Sequence, residues 1–180
     1  MNVAGAVDLK SNSAIHFGFM PAAEEVNRKI FEFYSLLNAQ DFERRSHFFH
    51  GRYENLYLKC ERIPAIGSVL HQAETYAASL LGMSMLKLRS GFWINDMGPN
   101  AVTSEHDHDD YDELLSAVYY VQVPKNSGEL IIVDQYSRTI VTPEAGMFMF
   151  FAPNVRHAVS INNSDKRRLS IGMNFGPVPQ

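Results

Sequence analysis

The sequence contains one cysteine, Cys60, among its 180 residues. A single thiol excludes a disulfide within the chain and fits a reducing compartment. Residues 1–13 also lack the basic start and the continuous apolar core of a signal peptide. These absences make the cytoplasm the expected location.

Long apolar runs and an excess of positive charge are absent as well. No stretch reaches the roughly 20 apolar residues that a helix needs to span a bilayer. The 16 Lys and Arg residues are outnumbered by 20 Asp and Glu residues, which gives a net charge of -4. An acidic chain lacks the basic face that nucleic-acid binding needs. We therefore expect a soluble protein with neither a membrane nor a nucleic acid as its partner.

The sequence has no internal repeat, low-complexity tract or linker rich in Pro and Gly, so we expect residues 1–180 to form a single domain. Apolar residues make up 46% of the chain, which is enough for a full core. No motif in the chain specifies its oligomeric state.

Hydrophobic periodicity divides the chain at Gly82. Before it, residues 14–19 predict an edge strand and residues 68–81 predict a helix. An earlier helix after Pro21 is predicted from an apolar stripe with helical spacing, formed by Val26, Ile30, Phe33 and Leu37. We therefore expect residues 1–84 to form a helical flank with an edge strand, and residues 85–176 to form a β core that carries the site.

The second half of the chain alternates apolar and polar residues with the period of a strand. Clusters of Gly, Pro, Asn and Asp separate the alternating segments. About eight strands are predicted: 85–95, 102–108, 115–123, 129–133, 138–141, 147–151, 156–161 and 168–175. This pattern predicts a mainly β fold with flanking α-helices, a double-stranded β-helix or jelly roll of the cupin-like kind.

Candidate metal ligands occur in the segment 104–110, Ser-Glu-His-Asp-His-Asp-Asp. Side chains two apart on an extended chain point to the same side, so His106, His108 and Asp110 form one row. A distant histidine, His157, lies in another predicted strand. Two ligands from one strand and a third from another form a facial metal site with open positions.

The last predicted strand has a polar face and an apolar face. Its polar face carries Arg168, Ser170, Gly172 and Asn174, and its apolar face carries Leu169, Ile171, Met173 and Phe175. A polar strand face in a β-rich domain indicates an interior space that holds a ligand.

Several short sequence elements follow one another in order along the second half of the chain. They are Trp93-Ile94-Asn95, His106-x-His108, Ser116 to Val121, Pro124 with Ser127 to Leu130, Gly146 to Phe151, His157, and Arg168 to Asn174. This ordered set resembles the 2-oxoglutarate- and iron(II)-dependent oxygenases, and more narrowly a bacterial and phage branch related to prolyl 4-hydroxylases.

The resemblance implies a set of roles for these residues. Fe(II) would bind His157 and two members of the row, and 2-oxoglutarate would be the co-substrate, with its far carboxylate held by Arg168. Ser170 and Tyr120 would donate further hydrogen bonds to it. The implied reaction is a dioxygenase reaction: O2 and 2-oxoglutarate give CO2 and succinate, and an unactivated C–H bond of a small-molecule or peptidyl substrate is hydroxylated.

Two choices of ligands in the row stay open. The spacing of the family's motifs, counted forward from Trp93, places the two ligands at His106 and His108. The same spacing, counted back from Ser116, places them at His108 and Asp110. We favour His106, His108 and His157, because an insertion is tolerated better in the loop after the row than in the strand before it. Asp110 would then accept a hydrogen bond from a ligand imidazole.

Other interpretations use different residues. A cupin-type metal or small-ligand binding protein would use Glu113 as a fourth ligand and would give Arg168 no special role. A jelly roll that serves only protein interaction would need no metal. A second histidine pair, His47 and His50, lacks a third ligand nearby in the sequence and is not expected to bind metal.

Overall fold

Eleven β-strands and two α-helices make up the described part of the chain, residues 15–108, 112–133 and 138–179, in a computed structural model. In chain order the elements are β1 (His16–Phe19), α1 (Ala23–Ser35), β2 (Arg44–Phe49), β3 (Arg52–Tyr57), α2 (Ile66–Leu81), β4 (Leu88–Met97), β5 (Thr103–His106), β6 (Leu115–Gln122), β7 (Leu130–Val133), β8 (Arg138–Val141), β9 (Met147–Phe151), β10 (Arg156–Val159) and β11 (Arg168–Pro177). None of the helices described is long and apolar enough to span a membrane.

The strands form two antiparallel sheets. The larger sheet has seven strands in the order β1-β9-β6-β11-β4-β3-β2, and the smaller has four in the order β5-β10-β7-β8. Every strand pairing within them is antiparallel. The prediction of a mainly β fold with two flanking helices is therefore confirmed.

The helices cover one face of the large sheet. Ile66, Val69 and Ala73 of α2 are fully buried there, and the apolar face of β11 packs in the same core. A separate core, which includes Leu130, Ile132, Met149 and Phe151, lies between the two sheets. Consecutive residues of β11 thus face two different environments, as the alternation along this strand predicts.

The predicted stripe of α1 is partly wrong, because Phe33 is 46% exposed. The helix instead buries Asn27, Ile30 and Tyr34. Asn27 Oδ1 accepts a hydrogen bond from Tyr119 Oη at 2.6 Å, and Tyr34 Oη donates to Asp96 Oδ2 at 2.7 Å. These two bonds to the sheet rotate the helix away from the purely apolar face that its spacing indicated.

The hairpin β2–β3 was not predicted. It adds two strands to the large sheet, with Leu56 of β3 opposite Ile94 of β4. The flank of residues 1–84 therefore contains a hairpin as well as helices. The other differences are at strand ends: β4 begins at Leu88 after a turn of 3-10 helix, and β5 ends at His106.

Candidate metal centre

Three histidines converge in the space between the two sheets. His106 is the last residue of β5 and lies opposite His157 of β10 in the register of the small sheet. His108 follows two residues later, where its backbone N–H donates to the carbonyl of Pro153 at 2.8 Å. One ring nitrogen from each of the three lies within 4.8 Å of the others. Three imidazole nitrogens at this separation suit one divalent transition-metal ion.

Backbone hydrogen bonds fix the ring orientation of two of these histidines. His106 Nδ1 lies 2.8 Å from the carbonyl oxygen of Ser104, and His157 Nδ1 lies 2.9 Å from that of Val155. A carbonyl oxygen only accepts, so each Nδ1 carries the proton and each Nε2 keeps a lone pair. This is the tautomer that a metal-binding histidine needs.

Burial keeps the site in its metal-binding protonation state. Burial, reinforced by the neighbouring imidazole of His106, lowers the pKa of His108 to about 4. The same two causes, with His108 added, lower the pKa of His157 to about 3. Both imidazoles are therefore neutral near pH 7, and no proton has to be displaced when a metal binds.

Asp110, the alternative ligand, lies outside the described residues. Glu113, the fourth ligand of the cupin interpretation, does not join the cluster: among the described residues, the group with metal-ligand spacing consists of the three histidines. Glu113 instead lines a groove beside His108, where its Oε2 is buried without a hydrogen-bond partner among the described residues.

Arg168 begins β11 and is 1% exposed. Its Nη1 donates to the carbonyl oxygen of Gly128 at 3.0 Å, and its Nε has no hydrogen-bond partner among the described residues. Burial lowers the pKa of Arg168, and the Tyr120 side chain partly opposes this. No carboxylate of the described residues lies within ion-pair distance of Arg168. A guanidinium stays protonated even so, which leaves a buried cation without an anion.

Ser170 and Tyr120 lie beside this guanidinium. They are cross-strand partners on β11 and β6, and both are buried. The Arg168 guanidinium carbon lies 5.0 Å from the centre of the Tyr120 ring. Burial raises the pKa of Tyr120, so its phenol keeps the proton and can act as a donor.

One cavity contains both the histidine cluster and the Arg168 side chain with its neighbours. It is lined by the three histidines, by the predicted co-substrate residues Arg168, Ser170 and Tyr120, and by Gly172 and Trp93. Sequence reasoning missed two buried polar residues of its lining, Glu54 and Asn55 of β3. These adjacent residues are both buried, which breaks the alternation of a strand, so periodicity gave no signal for them.

The residues present fit a metal and a dicarboxylate. Three imidazoles supply donors for a divalent cation, and Arg168, which has no carboxylate partner among the described residues, lacks the anion that a bound carboxylate would supply. Fold and site together define a class of protein. In it, two antiparallel sheets enclose a three-histidine cluster and, in the same cavity, the buried guanidinium of an arginine, here Arg168.

Solved structures of 2-oxoglutarate- and iron(II)-dependent oxygenases share this fold. A prolyl-4-hydroxylase from Pseudomonas putida is 18% identical, with a TM-score of 0.72 over 95% of this chain and 96% of that one. A 2OG-Fe(II) oxygenase family oxidoreductase from Burkholderia pseudomallei is 15% identical, with a TM-score of 0.65 over 97% and 91%. EvdO2 from Micromonospora carbonacea var. aurantiaca, solved with 2-oxoglutarate, is 15% identical, with a TM-score of 0.66 over 100% and 95%.

No family model matches the sequence, and no curated protein matches it. At these identities the similarity to the oxygenases is one of fold, and the residues of the cavity have to carry the argument for function.

Proposed function

We propose that this protein is a 2-oxoglutarate- and iron(II)-dependent dioxygenase built on a jelly roll, the double-stranded β-helix that its two sheets would form. The observation that carries the proposal is that one cavity holds three convergent histidines and a buried arginine with no anionic partner in the part of the chain that the structure describes. The shared fold supports the same conclusion.

In this proposal three histidines hold Fe(II): His106 and His157 through Nε2, because their Nδ1 atoms donate to backbone carbonyls, and His108 through one of its ring nitrogens. Arg168 binds the far carboxylate of 2-oxoglutarate, because its planar fork matches a carboxylate. Ser170 and Tyr120 donate to the same carboxylate from adjacent strands. Iron with 2-oxoglutarate supplies the oxidation of a C–H bond by O2, with succinate and CO2 as products. The protein supplies the geometry and a cavity that excludes water.

The metal ligands are tested by substitution. His157→Ala should abolish iron binding, because it removes a ligand from the centre of the small sheet, and His106→Ala should do the same. Asp110→Ala should weaken iron binding only about ten- to a hundredfold if Asp110 supports a ligand imidazole. Iron content after anaerobic reconstitution, measured by elemental analysis, gives the answer for each variant.

The alternative ligand set, in which Asp110 replaces His106, predicts the opposite effects of the two substitutions on iron binding. Normal iron binding in His106→Ala together with loss in Asp110→Ala would assign the site to His108, Asp110 and His157. Equal, near-stoichiometric iron in the wild type and in His157→Ala would remove the proposed centre altogether. Succinate formation under iron(II) and ascorbate, measured with and without candidate small-molecule and peptide substrates, tests the reaction class.

Arg168→Ala should weaken 2-oxoglutarate binding by a hundredfold or more, since truncating one partner of a buried charge pair costs about 3–5 kcal/mol. The titration follows the charge-transfer band of the iron(II) protein. Arg167→Ala is the matched control, because Arg167 is half-exposed and pairs with Asp96 Oδ2 at 3.1 Å outside the cavity.

Unchanged affinity in Arg168→Ala would favour the cupin-type alternative, in which this residue has no ligand to bind. Two observations support the oxygenase over that alternative: Glu113 does not belong to the histidine cluster, and Arg168 is buried with no carboxylate partner among the described residues. A protein used only for interaction would retain neither metal nor 2-oxoglutarate in either measurement.

A further inference from the structure

An open groove lies beside the candidate metal centre. It runs between the β2–β3 hairpin and β4, and its lining includes Asn55, Trp93 and His108, all three of which also line the metal cavity. Arg44 and His47 of β2 complete its hairpin wall. A molecule bound in the groove would therefore contact residues that also line the metal cavity, among them the candidate ligand His108.

A chain of side-chain hydrogen bonds lines this wall. Asn95 Nδ2 donates to the backbone carbonyl of Glu54 at 2.7 Å and to Asn55 Oδ1 at 3.0 Å. A carbonyl oxygen only accepts, so the Asn95 amide has one possible orientation, and Asn55 Oδ1 must be the acceptor. Asn55 Nδ2 is left to donate to His47 Nδ1, which is 3.2 Å away, and Ser46 Oγ lies 2.8 Å from the same nitrogen. An amide N–H only donates, so Nδ1 is the acceptor and the Ser46 hydroxyl is its second donor.

This chain fixes the tautomer of His47. Because Nδ1 accepts from an amide N–H, the single proton of the neutral imidazole is on Nε2. The Asn55 amide occupies the Nδ1 side of the ring, and the exposed side chain lines the groove, so the Nε2–H is available to a molecule bound there. The backbone of His47 has φ +57, a left-handed conformation within a strand. Such conformations cost free energy and concentrate at functional sites.

Arg44 supplies an uncommitted cation on the same wall. Its guanidinium carbon lies 4.0 Å from the centre of the Tyr57 ring, and among the described residues it has no carboxylate partner. Of the other charged residues described in the groove, Arg89 is paired with Asp112, and Glu113 is a carboxylate. The described lining thus has two guanidiniums and one carboxylate, and Arg44 is the guanidinium without a carboxylate partner among them.

We propose that the groove binds the primary substrate through an oxyanion of that substrate, a carboxylate or a phosphate, with Arg44 and the Nε2–H of His47 as the two donors. The inference rests on the proposed function for the role of the bound molecule, since the groove shares His108 and Trp93 with the cavity of the candidate metal centre. The Asn95–Asn55 chain is then a positioning device that keeps His47 a donor toward the groove.

The test uses protein loaded with Zn(II) and saturating 2-oxoglutarate, labelled with 15N in its histidine and arginine side chains. Acetate and inorganic phosphate are titrated as separate probes, and methylammonium is the cationic counter-probe. Before any addition, the His47 ring should show a protonated Nε2 and an unprotonated Nδ1. Acetate or phosphate should then shift the His47 and Arg44 signals until the site is saturated, whereas methylammonium should leave them unchanged. The anion with the lower dissociation constant identifies the oxyanion, carboxylate or phosphate, that the groove prefers.

Variants assign the response to these two residues. Arg44→Gln and His47→Phe should each weaken the oxyanion response about tenfold or more. His47→Gln should largely restore it, because its side-chain amide still presents an N–H. Arg45→Gln is the matched control, since Arg45 binds the carbonyl of Ala39 and is not part of the groove lining.

Three results would overturn the proposal: no signal shift with either anion, a shift of the same size with methylammonium, or an anion response in Arg44→Gln equal to that of the wild type. A protonated Nδ1 on His47 would overturn the positioning role of Asn55. These outcomes are separate from those of the proposed function: oxyanion binding in the groove without iron or 2-oxoglutarate binding would refute the oxygenase and keep the groove site.

Discussion

At the scale of single residues, the candidate centre depends on imidazoles that stay neutral. His108 and His157 owe their low pKa values first to burial and then to the neighbouring imidazoles, so the same close packing that brings ligands together also disfavours their protonation. In the unfolded chain both would return to a pKa near 6.5.

This difference predicts how the stability of the metal-free protein depends on pH. Between about pH 4 and pH 6.5 the unfolded chain binds more protons at these histidines than the folded chain does, so the free energy of unfolding should fall as pH is lowered through that range. Each such proton contributes up to about 1.4 kcal/mol per pH unit. Urea denaturation at several pH values measures the slope, and His157→Gln, which lacks one titrating group, should show a smaller slope. An equal slope in that variant would show that His157 is not neutral in the folded state.

Much of the candidate site could be predicted residue by residue, because its members occur where strand alternation places them on one face. His106, His108, Arg168 and Ser170 all line the cavity as expected. Glu54 and Asn55 could not be predicted, since they are consecutive residues that both line it. The outcome for Asp110 stays a prediction, because this residue lies outside the described part of the chain.

At the scale of secondary-structure elements, β11 is the strand that joins the site to the sheet. Gly172 pairs with Trp93 of β4, and a Cβ on Gly172 would lie 2.6 Å from Trp93 Cζ2. The indole in turn lies 5.3 Å from the ring of His108, measured between centroids. The absence of a side chain at Gly172 is thus what allows Trp93 to pack against the candidate metal centre.

Gly172→Ala should therefore destabilise the protein by about 1–3 kcal/mol through overpacking and should also weaken metal binding by displacing Trp93 toward His108. Gly91→Ala is the matched control on β4, because nothing lies within 4 Å of a Cβ at that position. Denaturation midpoints and metal titrations of the two variants make the comparison. A Gly172→Ala protein indistinguishable from Gly91→Ala in both would show that the indole can move without cost.

Sequence periodicity predicted the later strands better than the hairpin β2–β3. The strands after β5 have apolar runs bounded by turn residues, whereas β2 reads Arg-Arg-Ser-His-Phe-Phe and is mostly exposed. An edge strand of this kind is held by pairing with its neighbour more than by burial of one face, and pairing leaves no periodic signal. One wall of the groove beside the candidate metal centre belongs to this hairpin. The groove therefore could not be predicted from sequence periodicity.

At the scale of the whole molecule, the large sheet separates a structural core from a cavity. Ile171 is fully buried in the core beneath the helices, and Ser170, its neighbour in the chain, is buried on the cavity side. The chain therefore places stability and ligand binding on opposite faces of one strand.

Substitutions at these neighbours should separate the two properties. Ile171→Ala should lower the free energy of unfolding by about 2–5 kcal/mol and leave 2-oxoglutarate affinity nearly unchanged in the folded protein. Ser170→Ala should change stability little and weaken 2-oxoglutarate binding by several-fold to about tenfold, since it removes one donor to a carboxylate. Chemical denaturation and 2-oxoglutarate titration of both variants test the separation, and a loss of both properties in each variant would contradict it.

The pairing of His106 with His157 across the small sheet has a consequence for folding. These cross-strand neighbours are 51 positions apart in the chain, since 157 − 106 = 51. No short fragment can bring them together, so an ion held between them binds the native state more tightly than the unfolded chain, where only the local pair His106 and His108 is available. By mass action, a free ion at a thousandfold excess over its dissociation constant would add about 4 kcal/mol to the free energy of unfolding. The melting temperature would then rise with metal concentration, and the ion would serve as a reporter of complete folding.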